Sequence, residues 1–215
     1  MTARSYNFNM YSLYSSQTAI TNFPEQDREL MSRIWLELMT LASDVNALSR
    51  CKLGYCEVLI AQQNFAEARA ILQELYEALA EPVYLHRLAE VAYAAGDIPD
   101  ALYWLRQEQA VLPEDNAAAW ANNAFSLALL NLQISRLKEA VRWLAETSRH
   151  ALAAGAGSLE GHARRLLGNL ALERRESDLA MYFYRTAETA FARVQDDEGR
   201  DALNALMQRL ESLEG

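Results

Sequence analysis

The residues of this chain best suited to nucleophilic, acid–base or metal chemistry are three histidines and two cysteines. They are His86, His150, His162, Cys51 and Cys56. Metal-binding helices carry their ligands in recognised motifs, such as paired histidines one turn apart, and none of these residues stands in one. The sequence also lacks a glycine-rich phosphate loop and a nucleophile elbow. We therefore predict that the protein is not an enzyme and has no catalytic residue, metal site or cofactor.

The two cysteines bear on the compartment in which the protein works. Cys51 and Cys56 lie five positions apart in what reads as one helix, so their side chains point in different directions and cannot readily form a disulfide. The first residues show no basic patch followed by an apolar core, and the chain has no run of about 18 apolar residues. We therefore expect a cytoplasmic protein without membrane contact.

The composition favours helices and disfavours nucleic acid as a partner. The 215 residues include only 8 glycines and 4 prolines, whereas alanine and leucine are common. With 29 acidic and 20 basic side chains the net charge is −9, which opposes binding to phosphate backbones.

Residues 1–23 differ from everything that follows. They contain one charged side chain and five aromatic ones, which are Arg4, Tyr6, Phe8, Tyr11, Tyr14 and Phe23. We predict an aromatic and polar tail that is flexible. Two alternatives stay open: the segment packs onto the body or a partner through its aromatics, or it occupies the binding groove of its own or a neighbouring copy.

Helices are predicted from Pro24 onward. Asn22 and Glu25 have the spacing of a capping box, and a first helix is predicted over 25–46. Helix then follows helix, with Asn64 and Asp97 as further capping signals. The predicted breaks fall near Asn64, Gly96–Asp97, Pro113–Asp115, Ser135, 154–158 and 196–199.

The most informative pattern is a repeat. Four segments align on Ala68, Ala101, Ala140 and Ala180, and the second and third intervals between these alanines are longer than the first. Twelve positions before each alanine stands a small or nearly small residue, in order Cys56, Ala89, Ala128 and Gly168. Small residues at both positions let two antiparallel helices approach closely, and such pairs bury their faces only by stacking into a solenoid. The longer intervals predict longer helices.

These positions resemble the tetratricopeptide repeat (TPR) family. The second repeat is the best match, with Leu88-Ala89, Tyr93, Gly96-Asp97, Ala101 and Pro113, although Glu108 replaces a small apolar residue. The stretch 191–210 is also similar to the long repeats of bacterial signalling regulators. The resemblance implies an all-α helical-hairpin solenoid, a TPR-like superhelix with flanking capping helices. We therefore predict that the chain forms a single solenoid over 24–215. Its repeats are expected at about 49–81, 82–115, 116–156 and 157–195, and its C-terminal capping helix over 197–213.

In that family the first helix of each pair lines a concave groove that binds another protein or peptide. The resemblance implies that the groove-facing residues here are Arg50, Leu53, Glu57, His86, Glu90, Tyr93, Asn122, Phe125, Leu129, His162, Arg165 and Asn169. Arg165 and Asn169 match only half of the family's clamp for a C-terminal carboxylate, so that ligand is not expected. The apolar and aromatic middle suits an amphipathic helix or an extended apolar segment.

The functional hypothesis is a protein–protein interaction module that acts as scaffold, adaptor or chaperone. Two alternatives stay open, namely a peptide-sensing regulator and a secretion-type chaperone of an apolar client segment. Aromatic side chains at the solenoid ends could also pair two copies in a homodimer. The basic doublets Arg164-Arg165 and Arg174-Arg175 are predicted to pair with acids of their own helix such as Glu160 and Glu176, the alternative being contact with an anion.

Overall fold

The computed structural model describes residues 24–214, apart from the side chains of 209 and 211–214. Over this range it contains ten α-helices and no strand, and within each of its two compact units the helices that follow one another in the chain pack together, which confirms the all-α solenoid class. The helices are α1 (Glu25–Leu41), α2 (Val45–Ala61), α3 (Phe65–Leu79), α4 (Pro82–Ala94), α5 (Ile98–Val111), α6 (Ala117–Gln133), α7 (Leu137–Ala153), α8 (Gly157–Glu173), α9 (Ser177–Arg193) and α10 (Asp197–Glu214). The tail predicted over 1–23 lies outside the described residues.

The helices divide into two compact units. The first unit ends at Val111 and includes α1 to α5, and the second begins at Leu112 and includes α6 to α10. The sequence analysis predicted one continuous solenoid over 24–215, and that continuity stays a prediction.

Each pair of helices meets where the sequence places its small residues. The repeat alanine is the fourth residue of α3, α5, α7 and α9, and in all four repeats it has no exposed surface. In the first pair, the Cys56 thiol donates to the Ala68 carbonyl over 3.8 Å. In the last pair, a Cβ added to Gly168 would lie 2.6 Å from Cδ1 of the Tyr184 ring, which is closer than real atoms approach. The predicted close approach is therefore confirmed.

Helix length explains the unequal repeat intervals. The four helices from α6 to α9 have equal lengths and equally long connections, so they begin at the regular positions Ala117, Leu137, Gly157 and Ser177. In the first unit, α3 and α4 are shorter than these helices, which reduces the interval from Ala68 to Ala101. The prediction of longer helices in the later repeats is confirmed.

The connections share one backbone feature. Seven of them contain a residue with φ between 52° and 81°, and it always stands two positions before the next helix. These residues are Gln63, Ala80, Gly96, Ser135, Gly155, Arg175 and Gln195. Left-handed backbone favours glycine because any Cβ crowds the following carbonyl, yet only two of the seven are glycine. The other five carry that steric cost.

Some local predictions were wrong. The helix predicted over 25–46 ends at Leu41, because Asp44 caps a new helix and its Oδ1 accepts a hydrogen bond of 2.7 Å from the Ala47 amide. The break at 174–176 was not predicted, since it holds neither glycine nor proline. Asn64 does not cap α3, because its amide donates instead to the Glu67 carboxylate over 2.6 Å.

Other local predictions are confirmed. The Asp97 side chain accepts a hydrogen bond of 3.0 Å from the Asp100 amide at the start of α5. The predicted C-terminal helix is α10, which packs on α9 and buries Leu203 and Leu210. The predicted breaks at 64, 96–97, 113–115, 135, 154–158 and 196–199 all fall at or beside a connection between helices.

We expect Arg175→Gly to raise the free energy of unfolding by about 0.5–1 kcal/mol. Glycine removes the left-handed strain in the folded state, and the higher conformational entropy of the unfolded glycine chain offsets part of this stabilisation. The neighbouring substitution Arg174→Gly is the control, since Arg174 has φ −85° and gains no relief. Urea denaturation followed by circular dichroism measures both variants. Equal effects of the two substitutions would contradict the assignment of strain to residue 175.

Candidate functional site

The predicted groove residues all lie on α2, α4, α6 and α8, the first helices of the four pairs. Arg50 and Asn122 are exposed, and six are half-buried, namely Leu53, Glu57, His86, Tyr93, Arg165 and Asn169. The remaining four, Glu90, Phe125, Leu129 and His162, are buried. The sequence analysis assigned these four to a partner surface, and the structure corrects this because the chain itself covers their side chains.

Three groove residues of the first unit belong to a charge cluster, which we define as Glu57, His86, Arg87, Glu90 and Glu108. Arg87 is its centre, with Nη1 2.9 Å from Glu57 Oε1 and 2.6 Å from Glu90 Oε2. Because Glu57 lies on α2 and Arg87 on α4, the guanidinium joins two neighbouring first helices.

His86 connects the cluster to α5. Its Nδ1 lies 2.8 Å from Glu108 Oε2, and its Nε2 lies 3.9 Å from Glu90 Oε1. Glu90 and Glu108 are buried, and a buried carboxylate is tolerated only with partners that compensate its lost hydration. The histidine therefore accounts for Glu108, the residue that departs from the repeat pattern.

The pKa values in the cluster follow from burial and charge. Burial lowers the pKa of His86, but the hydrogen bond to Glu108 and the charges of Glu108 and Glu90 outweigh it, so that the pKa lies above its usual value. Burial raises the pKa of Glu90, and the charges of Arg87 and His86 oppose this only in part. Both groups thus hold a proton more strongly in the folded state than in the unfolded chain.

Apolar side chains flank the cluster on the same helix faces. Leu53 stands four positions before Glu57 on α2, and Tyr93 stands three positions after Glu90 on α4, so each shares a helical face with its acid. Both are half-buried. We call the surface formed by Leu53, Glu57, His86 and Tyr93 the α2–α4 face; the buried Glu90 lies beneath it. Its centre is electrostatically compensated and its two ends are apolar or aromatic.

The groove residues of the second unit are engaged within that unit. The Tyr184 hydroxyl donates a hydrogen bond of 2.8 Å to Asn169 Oδ1, so one of the two residues that match the carboxylate clamp is engaged within the unit. The His162 ring packs edge-on to Phe191 at 5.1 Å between centroids. Burial, assisted by the charge of Arg165, lowers the pKa of His162 to about 4. His162 is therefore an uncharged core residue at neutral pH.

The second unit has its own buried ion-pair centre at Glu160. The carboxylate lies 2.6 Å from Arg164 Nη2 and 2.7 Å from Arg193 Nη2, and Glu160 has no exposed surface. Pairing of Arg164 with Glu160 within α8 was predicted and is confirmed. The second partner, Arg193 on α9, was missed because a contact between residues so far apart in sequence leaves no local signal. The prediction that Arg174-Arg175 pair with Glu176 within one helix was wrong, because residues 174–176 form the connection between α8 and α9.

A metal site needs several ligating side chains that face one point, and a membrane span needs a long apolar helix. No group of three His, Cys, Asp or Glu side chains among the described residues is placed to hold a metal ion. None of the helices that these residues form is both long and apolar enough to cross a membrane. Cys51 and Cys56 are free thiols, and burial raises the pKa of Cys56 to about 12, so Cys56 behaves as a small apolar residue.

We expect Glu160→Gln to lower the free energy of unfolding by about 2–3 kcal/mol, because it leaves two guanidinium groups without their shared buried carboxylate. Glu139→Gln is the control in the same unit. Glu139 is half exposed and 3.9 Å from Arg142, so its loss should cost less than about 0.5 kcal/mol. Chemical denaturation measures both, and similar costs would show that the Glu160 pairs do not hold α8 to α9.

We expect the first unit to lose stability as the pH rises from 6.5 to 8. A group whose pKa is raised on folding stabilises the folded state fully below its unfolded pKa, and this contribution disappears as the pH passes the folded pKa. Both His86 and Glu90 belong to this class, whereas the pKa values of His150 and His162 are lowered, so folding weakens proton binding at these two residues.

Hydrogen exchange of α4 peptides, measured across this pH range and corrected for intrinsic rates, provides the readout. His86→Gln should weaken the dependence and leave only the part that Glu90 contributes, and α8 peptides serve as the internal reference. A wild-type profile that is flat, or that is unchanged in His86→Gln, would contradict the proton assignment.

The comparisons with known proteins concern the fold. No protein-family model and no characterised protein sequence matches this chain. The structure is similar to the crystal structure of BtubC (BKLC) from P. vanneervenii, with a TM-score of 0.62, 12% sequence identity and 92% of each chain covered. At this identity the similarity shows the helical fold alone.

Proposed function

We propose that the protein is a cytoplasmic, non-catalytic interaction module of the TPR type, which binds an apolar or amphipathic segment of another protein. The paired helices, the recurrent buried alanines and the small residues opposite them support this assignment. We propose the α2–α4 face as the binding surface, because Leu53 and Tyr93 on it keep exposed surface, whereas Phe125, Leu129 and His162 of the second unit are buried.

The observation that carries the proposal is the charge compensation on this face. Glu57 makes this face acidic and the buried Glu90 lies beneath it, yet Arg87 lies within 2.9 Å of both carboxylates. Binding of a basic peptide would therefore have to compete with an existing ion pair. Leu53 and Tyr93 offer apolar area that needs no such exchange, and burying apolar area contributes about 25 cal/mol per Å². A segment with apolar side chains one or two helical turns apart fits this arrangement.

Selection from a displayed library of random peptides, each long enough for about four helical turns, tests the proposal on the full chain. We expect the enriched peptides to carry spaced apolar residues and no excess of basic ones. Tyr93→Ala should weaken their binding at least tenfold, because an aromatic anchor typically contributes more than about 1.4 kcal/mol.

The matched control is Tyr103→Ala, which removes a tyrosine that is 50% exposed on α5, a second helix of a pair. It should leave the affinity unchanged, and circular dichroism verifies that both variants fold. Two results would contradict binding at the α2–α4 face. One is an equal loss of peptide affinity in the two variants, and the other is enrichment of basic peptides whose affinity neither substitution changes.

A further inference from the structure

The first helix carries an uncovered apolar stripe. None of the residues of α1 is buried. Four leucine and isoleucine side chains on it, Leu30, Ile34, Leu38 and Leu41, are 56%, 45%, 40% and 77% exposed. They recur at intervals of three or four positions and so form one line along the helix, which we call the α1 stripe.

α2 packs against a different side of α1. The indole of Trp35 fills the space where a Cβ of Gly54 would stand, and Arg28 Nη1 donates to the Ala61 carbonyl over 2.6 Å. Since a helix turns by about 100° per residue, the stripe is centred roughly a quarter to a third of a turn away from these contacts. The helix therefore presents apolar side chains in two directions, and only one direction is covered within the described residues.

The opposite end of the chain shows how a terminal helix avoids this exposure. α10 turns Leu203 and Leu210 inward, and among its described side chains the exposed ones are acidic, amide or alanine. Terminal helices of repeat proteins need such an outer face for solubility. α1 lacks it, so its stripe calls for a cover.

We propose that residues 5–21 of the same chain cover the α1 stripe. The segment 1–23 immediately precedes this helix in the chain, so it is covalently held close to the α1 stripe. α1, α2 and α3 begin at the evenly spaced positions Glu25, Val45 and Phe65. Residues 5–21 are as many residues as α1 contains, which is enough chain to follow the stripe along that helix.

Composition supports this occupant. Residues 5–21 contain no charged side chain, although they include Tyr6, Phe8, Tyr11 and Tyr14. Among the ten described helices only α6 is likewise uncharged, and it is the helix whose side chains are buried most completely over one long run, 123 to 131. A segment of such composition gains from contact with apolar surface and loses no charge hydration on burial.

Hydrogen exchange of the full chain and of a chain lacking residues 2–23 tests the proposal. We expect α1 peptides to exchange at least tenfold faster after the deletion, while α8 peptides stay unchanged. Unchanged exchange of α1 would overturn the proposal. Protection of α1 that rises with protein concentration in the full chain would also overturn it, because a second copy would then be the cover.

A reciprocal pair of variants guards against unfolding of the shortened chain. In the full chain, Leu30→Ser with Ile34→Ser should speed exchange in residues 5–21 at least tenfold. The control is Leu179→Ser, which alters a leucine that is 43% exposed on α9 and should have no effect on that segment. If the exchange rate of residues 5–21 is the same in the Leu30→Ser, Ile34→Ser variant as in the unmodified chain, these residues do not lie on the α1 stripe.

Discussion

The distance between the two helices of a pair constrains the rest of this structure. Where Gly168 faces the Tyr184 ring there is no room for one further methyl group, and the repeat alanines are buried completely. Since the backbones are so close, the large side chains must fill the space beside the small ones and extend to the neighbouring pair. That arrangement fixes which helices stand side by side and brings Arg87 of α4 within reach of Glu57 on α2.

Each unit then contains charge where the packing would favour apolar atoms. Glu90 and Glu108 in the first unit and Glu160 in the second are buried, and each has a cationic partner at hydrogen-bonding distance. An ion pair of this kind adds little net stability, because desolvation offsets most of the attraction. It does penalise any helix register that separates the charges. The ion pairs therefore favour one register of the helices they join, and alanine and leucine contacts alone select the register less strictly.

The array of helical hairpins could be predicted from the sequence, but the burial of individual side chains could not. The alanine columns and most helix breaks could be predicted because they follow from local sterics and capping. The break after Leu41 was missed, since apolar residues continue on both sides of Ser43 and Asp44. Left-handed residues such as Arg175 carry no signal, because any side chain can occupy the position at some cost.

At the candidate site too, features that depend on nearby residues could be predicted, and features that depend on residues distant in sequence could not. The family resemblance put the groove residues on the first helices of the predicted pairs, and all of them lie on α2, α4, α6 or α8. It could not show that Phe125 and Leu129 are covered, because exposure depends on helices that lie far away in sequence. The ion pair between Glu160 and Arg193 had the same origin. Glu108 was the useful exception, since its conflict with the repeat pattern marked the place where His86 binds.

The constant length of the connected helices restricts how such a gene can change. From α6 to α9 each helix and its connection occupy the same length of chain, so every complete pair does too. Loss or duplication of one whole pair would join equivalent backbone positions and keep every small residue opposite its alanine. Loss of a single helix would exchange first helices for second ones, and each single-residue insertion would rotate a helix by about 100°. Length variation within the segment from α6 to α9 should therefore occur in steps of one helix pair.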